Sequence, residues 1–176
     1  MKTEYLFEKE VDRVLALLTP ENRLVLRVAL ATGLRIGDVL ALKPDQLKPH
    51  FWVTESKTGK RRQVGLREPL LSDLKVYAGR WWVFPGRDPR KHRTRQAVWK
   101  DVKRAAVALR LPQNVAPHSI RKVYAVDLLH KYGDIAKVQR ALNHSNAAVT
   151  LVYAMADAQY TAKYKRRRNR AGRKPG

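Results

Sequence analysis

Apolar residues recur three and four positions apart along much of this 176-residue chain, and Pro or Gly closes most of these runs. The first run, 7–18, predicts an amphipathic helix that ends at Thr19-Pro20. Thr19 is a suitable N-cap and Pro20 a suitable first-turn residue for a second helix, which Gly33 stops. This spacing is typical of several helices packed around a shared core.

Strand-like sequence is confined to one region, where β-rich runs at 51–54 and 62–66 are joined by a polar turn containing Gly59. No alternation of strands with helices is visible, so the sequence predicts a mainly α fold with a small antiparallel β-hairpin (α+β). We expect one domain over 1–162 and a flexible basic tail over 163–176 that orders only on DNA. Further helices are predicted over 34–42, 69–78 and 118–130, and two more begin after the expected N-caps Thr94 and Asp134.

The net charge of +22 points to a polyanionic partner, with nucleic acid as the first candidate and anionic membrane as the second. No apolar run approaches the roughly 20 residues that a spanning helix needs. No secretory signal is visible, and the absence of cysteine excludes disulfides, thiolate chemistry and cysteine-based zinc sites. These features favour a cytoplasmic, nucleoid-associated protein.

Three residues near the C-terminal end could act on a phosphate. His118 and Arg121 are three apart, so a helix places them on one face. Arg offers a charged fork that matches a phosphate, His can move a proton near neutral pH, and the Tyr153 hydroxyl could be a nucleophile. Taken singly, His118 could be a helix cap, His144 a turn residue and Tyr153 a partly buried aromatic.

Arg35 lies in the densely apolar stretch 34–42, where a buried guanidinium is costly unless it is paired. Asp38 follows three residues later and is the expected partner on the same helical face. The pair could be a purely structural ion pair, or Asp38 could hold Arg35 so that its remaining donors face a phosphate.

Basic residues concentrate at the hairpin tip, where Lys57 lies, and in the loop 86–93. A generic phosphate contact is the simplest interpretation of each, and the nearby aromatic run 81–84 is more often core than a base-stacking platform. The candidate DNA contacts are Lys60, Arg61, Arg62, Arg90, Lys91, Arg93 and Lys122.

Five segments together resemble the catalytic domain of the tyrosine recombinases, the phage-integrase family. They are 31–42 (ATGLRIGDVLAL), 56–60 (SKTGK), 118–121 (HSIR), 142–145 (LNHS) and Tyr153. The resemblance extends from about residue 6 to residue 155, and it is the ordered set of boxes, rather than any single box, that is specific.

The resemblance implies that Tyr153 attacks a DNA phosphodiester, leaving a 3′-phosphotyrosyl link and a free 5′-hydroxyl. Because the bond energy is kept in that ester, the implied reaction requires neither ATP nor a metal. The implied partners are double-stranded DNA and three further copies of the chain, in a homotetramer that exchanges C-terminal segments. A lone domain could be monomeric.

The resemblance also assigns roles. Arg35 and Arg121 would neutralise the non-bridging phosphate oxygens, and His144 would hydrogen-bond one of them. His118 is the candidate general base for the tyrosine proton, and Lys57 the candidate general acid for the leaving 5′-oxygen.

The sequence departs from the family pattern at Asn143, where Gly is usual; Asn also tolerates left-handed backbone. Asp38 stands where Glu or Asp is usual. Full-length relatives typically carry an N-terminal DNA-clamping domain, so we expect either a fragment or a minimal member.

Three alternatives remain at this point: a type IB topoisomerase, a DNA-binding relic that no longer cuts, and a basic ribosomal or chromatin-like protein. The compact spacing and the LNHS box favour the integrase branch, and the last alternative would not need the five boxes.

Overall fold

The computed structural model describes residue 6 and residues 8–142, which divide into two compact units after Tyr124. Helices dominate, and the strands within this range form one antiparallel pair, which confirms the α+β class. The predicted boundaries 1–162 and 163–176 extend beyond the described residues and stay predictions. In chain order the elements are α1 (Glu8–Leu17), α2 (Pro20–Thr32), α3 (Ile36–Leu40), a 3₁₀ turn (Pro44–Gln46), β1 (His50–Thr54), β2 (Arg61–Gly65), α4 (Leu70–Tyr77), α5 (Arg95–Ala108), α6 (Pro117–Tyr132) and α7 (Ile135–Leu142).

Helix α2 begins and ends where the sequence predicts. Pro20 occupies its first turn, where a missing N–H has no consequence. Gly33 ends it in left-handed backbone with a φ of 64°. Thr19 holds the N-cap position, but its hydroxyl donates to Asp101 rather than capping the helix. The N-cap side chain therefore serves tertiary structure.

One apolar core organises the first unit, and α1 to α5, the hairpin and the start of α6 all contribute to it. Burying these side chains is the main source of stability for the unit. The most enclosed include Leu26, Leu34, Leu40, Leu74, Phe84 and Ile120.

A polar cluster centred on Asp101 joins the turn between α1 and α2 to α5. Asp101 Oδ2 accepts hydrogen bonds from the Thr19 N–H at 2.9 Å and the Asn22 amide at 2.8 Å. Its Oδ1 accepts from Arg104 at 2.6 and 3.0 Å. Burial opposes ionisation of Asp101, but the hydrogen bonds from Asn22, Thr19 and Arg104 outweigh it and lower the pKa of the carboxyl group.

The hairpin pairs Val53 with Arg62 across its strands. Because side chains alternate between the two faces of a strand, Phe51, Val53 and the following Glu55 all point inward, and all three are buried. Gly59 lies in the turn with a φ of 66°, as predicted. The inner face of the hairpin is therefore apolar at Phe51 and Val53, and it carries the acidic Glu55 and the basic Arg62 near the turn.

The segment between α4 and α5 splits the predicted aromatic cluster. Val83 and Phe84 are buried, which confirms their core assignment, whereas Trp81 is 49% exposed and its core assignment was wrong. Trp82 lies under the Lys43 ammonium, 3.2 Å from the centre of its ring. Two of the four residues therefore lie at the surface, where Trp81 contacts solvent and Trp82 packs against a lysine side chain.

The described part of the second unit contains the last turns of α6 and all of α7. Gly133 separates the two helices with a φ of 63°. Asp134 caps α7 as predicted, since its Oδ1 accepts from the Ala136 N–H at 2.8 Å. Across residues 6 and 8–142, no helix combines the length and apolarity needed to cross a bilayer.

Candidate active site

Arg35 lies immediately before α3, where the chain turns after α2. Its backbone is extended, with φ −67° and ψ 148°, and its side chain is 24% exposed. Its Nη1 donates to Glu55 Oε2. The other N–H groups of Arg35 make no hydrogen bond to any described residue, so they are available to an anion.

The expected ion pair between Arg35 and Asp38 was wrong, because Glu55 is the partner of Arg35. The three-residue spacing argument requires both residues to lie within one helix, but α3 is shorter than the predicted 34–42 and begins after Arg35. Asp38 Oδ1 instead accepts from the Ser56 N–H at 2.9 Å and the Ser56 hydroxyl at 2.7 Å. Asp38 therefore fastens the hairpin turn to α3, one residue before Lys57.

The carbonyl end of α2 holds two arginines. Arg121 Nη1 donates to the Gly33 carbonyl at 2.6 Å, and Arg62 Nη2 donates to the Thr32 carbonyl at 3.0 Å. These carbonyls lie at the negative end of the helix dipole, which favours cations. Gly33 is required by its left-handed backbone and also because an added Cβ would lie 2.2 Å from the Tyr124 ring.

His118 lies in the first turn of α6, where its side chain reaches solvent. The pKa of His118 is lowered, first because the protein displaces part of the water around its ring and then by the positive charges of Lys122, Arg121, Arg35 and Lys57. The geometry agrees with positive charge around the His118 imidazole, because Arg121, three residues after His118, donates to the Gly33 carbonyl at 2.6 Å, two residues before Arg35. A lowered pKa keeps that imidazole neutral, and so able to accept a proton, at neutral pH.

Three separate segments thus contribute to one cationic site: the turn before α3, the hairpin turn and the first turn of α6. Guanidinium groups at such a site can neutralise the charge that develops on a phosphodiester in a substitution reaction. A neutral imidazole and an ammonium at the same site can accept and donate a proton.

Comparison with known proteins agrees with this chemistry. The family described as the phage integrase family matches residues 4–160. The chain belongs to the phage integrase family. It is 34% identical over 141 residues to the probable integrase/recombinase YoeC of Bacillus subtilis, covering 76% of this chain and 77% of that protein. It spans about half the length of other curated relatives, at 45%, 46% and 56% of three of them.

Solved recombinases share the fold of this phage-integrase-family chain. The XerH site-specific recombinase, in a post-cleavage complex with palindromic difH substrate, has a TM-score of 0.72 at 22% identity, covering 93% of this chain and 52% of that one. The catalytic domain of bacteriophage HP1 integrase has a TM-score of 0.67 at 24% identity, covering 88% of this chain and 89% of that one. The fold is therefore that of a tyrosine recombinase catalytic domain, as the sequence resemblance implied.

The remaining family positions, Asn143, His144 and Tyr153, lie outside the described residues, as does the basic tail 163–176. Their roles stay predictions.

Four of the predicted DNA contacts of this integrase-family domain are exposed. Lys60 and Arg61 lie at the hairpin, where the Arg61 guanidinium is 5.3 Å from the centre of the Trp52 ring. Arg90 and Lys91 lie on the loop between α4 and α5. Their exposure leaves them accessible to a DNA backbone, and the contacts themselves stay predictions.

The other three predicted contacts are engaged by the protein. Arg93 Nε donates to Asn22 Oδ1 at 2.6 Å, and Lys122 is only 8% exposed. The Arg62 side chain is 12% exposed and binds Glu55 at 3.0 Å in addition to its α2 carbonyl. DNA contacts by these three residues stay predictions, because each side chain is buried or bound to another part of the protein.

Glu55 is the site residue that sequence reasoning missed. An acid within a strongly basic turn reads as an incidental solubilising charge. The signal that could have found it is the alternation of Phe51 and Val53, which continues to Glu55 and sends its carboxylate inward.

Proposed function

We propose that this chain is the catalytic domain of a site-specific DNA recombinase that cleaves and rejoins DNA through a 3′-phosphotyrosyl intermediate. The observation that carries the proposal is that hydrogen bonds join the segments that carry Arg35, Lys57, His118 and Arg121. Arg121 donates to the Gly33 carbonyl, two residues before Arg35, and the Ser56 N–H, one residue before Lys57, donates to Asp38 in α3. Grouping several cations costs a folded protein free energy through their mutual repulsion, whereas a bound phosphodiester is stabilised by them.

In the proposed reaction, Arg35 and Arg121 bind the non-bridging oxygens of the scissile phosphate. Arg35 has donors left over after its bond to Glu55, which supports this role. As the nucleophile approaches phosphorus, negative charge accumulates on those oxygens. Fixed guanidinium groups stabilise that charge without reorganising, and losing a single such donor commonly costs on the order of 100-fold in rate.

Proton transfer accompanies the substitution. His118 accepts the proton of the Tyr153 hydroxyl as the bond from that oxygen to phosphorus forms. The bond from phosphorus to the 5′-oxygen breaks, and Lys57 donates a proton to that oxygen. Rejoining reverses these steps with a 5′-hydroxyl as the nucleophile. The lowered pKa of His118 supports its role as base, and the Asp38–Ser56 bonds beside Lys57 support a fixed position for the acid.

The proposed partner is double-stranded DNA, consistent with the net charge of +22. The XerH neighbour is described as bound to a DNA substrate, which supports the same partner class. We further propose that residues 1–162 form one catalytic domain, followed by a basic tail. The chain would be a monomer alone and would assemble into a homotetramer on DNA. Its place of action would be the cytoplasm.

Covalent trapping tests the proposal. Wild-type protein is mixed with nicked duplexes of randomised core sequence. Cleavage releases the short strand between the cleavage site and the nick, so rejoining is prevented, and adducts are separated on a denaturing gel. Wild type should form a covalent band. Tyr153→Phe should bind DNA but form none. Tyr132→Phe, which alters a tyrosine that is 47% exposed on α6, is the matched control and should form the band.

The other outcomes separate the alternatives. Relaxation of supercoiled plasmid without strand exchange would replace recombination with type IB topoisomerase activity. No adduct from wild type, even when fused to a DNA-clamping domain, would refute the proposal in favour of a DNA-binding relic.

A further inference from the structure

We infer that Glu55 is a positioning residue for Arg35, a role that rests on the proposed recombinase function. Glu55 is fully buried, and each of its carboxylate oxygens binds a different arginine. Oε2 accepts from Arg35 Nη1, and Oε1 accepts from Arg62 Nε at 3.0 Å. A carboxylate inside a phosphate-binding site competes with the substrate for cations, so its presence requires a reason.

The first reason is geometric. Arg62 is itself fixed, since its Nη2 donates to the Thr32 carbonyl at the end of α2. Glu55 therefore links a guanidinium that is tied to the helix end to one that is not. A guanidinium is planar, so fixing one of its nitrogens restricts the directions in which its remaining N–H groups can point. Those remaining groups of Arg35 are the ones proposed to bind phosphate.

The second reason is electrostatic. Before DNA binds, Arg35 lies near other cations, because Arg121 donates to the Gly33 carbonyl two residues before Arg35 and Lys57 follows the Glu55 partner of Arg35 by two residues. Like charges at short range repel, and a flexible arginine would relieve the repulsion by turning toward solvent. The buried carboxylate of Glu55 holds Arg35 in place without occupying its outward donors. The site is thereby organised before the phosphate arrives.

Two substitutions separate positioning from general support of the hairpin. Glu55→Gln removes the charge and retains the shape, and Glu68→Gln makes the same change in net charge on an exposed residue after β2. Single-turnover cleavage is measured against the concentration of a duplex that wild type selects from the randomised pool. This gives a maximal rate and a half-saturating DNA concentration for each protein.

We expect Glu55→Gln to lower the maximal rate on the order of 100-fold, because displacement of a binding group by about 1 Å has that effect. The half-saturating DNA concentration should stay unchanged or fall, because the site has lost a negative charge. Glu68→Gln should cleave at the wild-type rate. Placed in an Arg35→Lys background, Glu55→Gln should reduce the rate much less than in wild type, since it acts through Arg35.

Should Glu55→Gln fail to fold, Glu55→Asp decides the question, because it keeps the charge but shortens the side chain by one methylene. We expect it to fold and to cleave at least tenfold more slowly than wild type. A wild-type rate for either variant would overturn the role of Glu55, as would equal fold-losses with and without Arg35. Absence of an adduct from wild type itself would instead refute the recombinase function, so the two failures are distinguishable.

Discussion

Replacing Gly33 by alanine tests how the end of α2 builds the site. Gly33 has a φ of 64°, and a Cβ there would lie 2.2 and 2.3 Å from two atoms of the Tyr124 ring. Its carbonyl also holds Arg121 at 2.6 Å. The substitution therefore adds backbone strain and a steric overlap at the point where α2 and α6 approach each other.

The magnitude follows from two contributions. Left-handed backbone costs a residue with a Cβ about 1–2 kcal/mol. Forcing a methyl group against an aromatic ring in a packed region costs about 1–3 kcal/mol more. We expect Gly33→Ala to lower the free energy of unfolding by about 2–5 kcal/mol, and to lower the apparent melting temperature by roughly 2–4 °C for each kcal/mol.

Two other glycines are matched controls. Gly59 and Gly133 have φ values of 66° and 63°, but a Cβ at either would meet nothing within 4 Å. Their alanine variants should show the backbone cost alone. Urea unfolding, followed by tryptophan fluorescence and far-UV circular dichroism, measures all three. If Gly33→Ala proves no less stable than Gly59→Ala and Gly133→Ala, the proposed contact with Tyr124 does not exist.

Three further predictions concern Asp101, His118 and Ser56. Asp101→Asn should lower the free energy of unfolding by about 2–3 kcal/mol at pH 7 because it weakens the hydrogen bonds to this side chain. The pKa of Asp101 is below its ordinary 3.8, so this loss should fade as pH falls through the lowered value. Urea titrations measure the loss, and an equal loss for the exposed control Asp12→Asn would contradict the prediction. NMR titration of DNA-free protein should give His118 a pKa below its ordinary 6.5, and protonation of His118 should therefore lower the stability of the fold as pH falls below 6.5. A pKa at or above 6.5 would contradict the cationic site. Ser56→Ala should lower the free energy of unfolding by about 1 kcal/mol, because it removes the 2.7 Å hydrogen bond to Asp38. The same variant should slow cleavage in the trapping assay. An unchanged cleavage rate would rule out a role for that hydrogen bond in placing Lys57.

Local sequence was sufficient wherever local physics decides the structure. The ends of α2 follow from Pro20 and Gly33, and the caps at Thr94 and Asp134 follow from the side chains present, since each accepts a hydrogen bond from its own helix. The fold class was predictable for the same reason, because helix periodicity and the turn of the hairpin are both features of local sequence.

Partners that are distant in sequence could not be predicted in this way. Arg35 was expected to pair with Asp38, which is near in sequence, but it pairs with Glu55, which is 20 residues away. The choice depends on where the hairpin packs against α2 and α3, and that is a property of the tertiary structure. Only the inward alternation of β1 hinted at the buried acid.

The family boxes succeeded where single residues did not, because they encode this tertiary arrangement indirectly. The first box supplies both Arg35 and the Gly33 carbonyl that holds Arg121. The His118 box then supplies the arginine for that carbonyl. Each box is incomplete without the other, so their joint presence indicates one assembled site.

The chemical linkage between protein and DNA is the most direct test of the proposed reaction. Trapped wild-type protein is digested with trypsin, and peptide 141–163, which contains Tyr153 and Tyr160, is sequenced by mass spectrometry. We predict a nucleotide joined through its 3′-phosphate to Tyr153, and a released strand whose 5′-hydroxyl is labelled directly by polynucleotide kinase. A nucleotide on Tyr160 or any other residue, or a released strand that carries a 5′-phosphate, would contradict the mechanism.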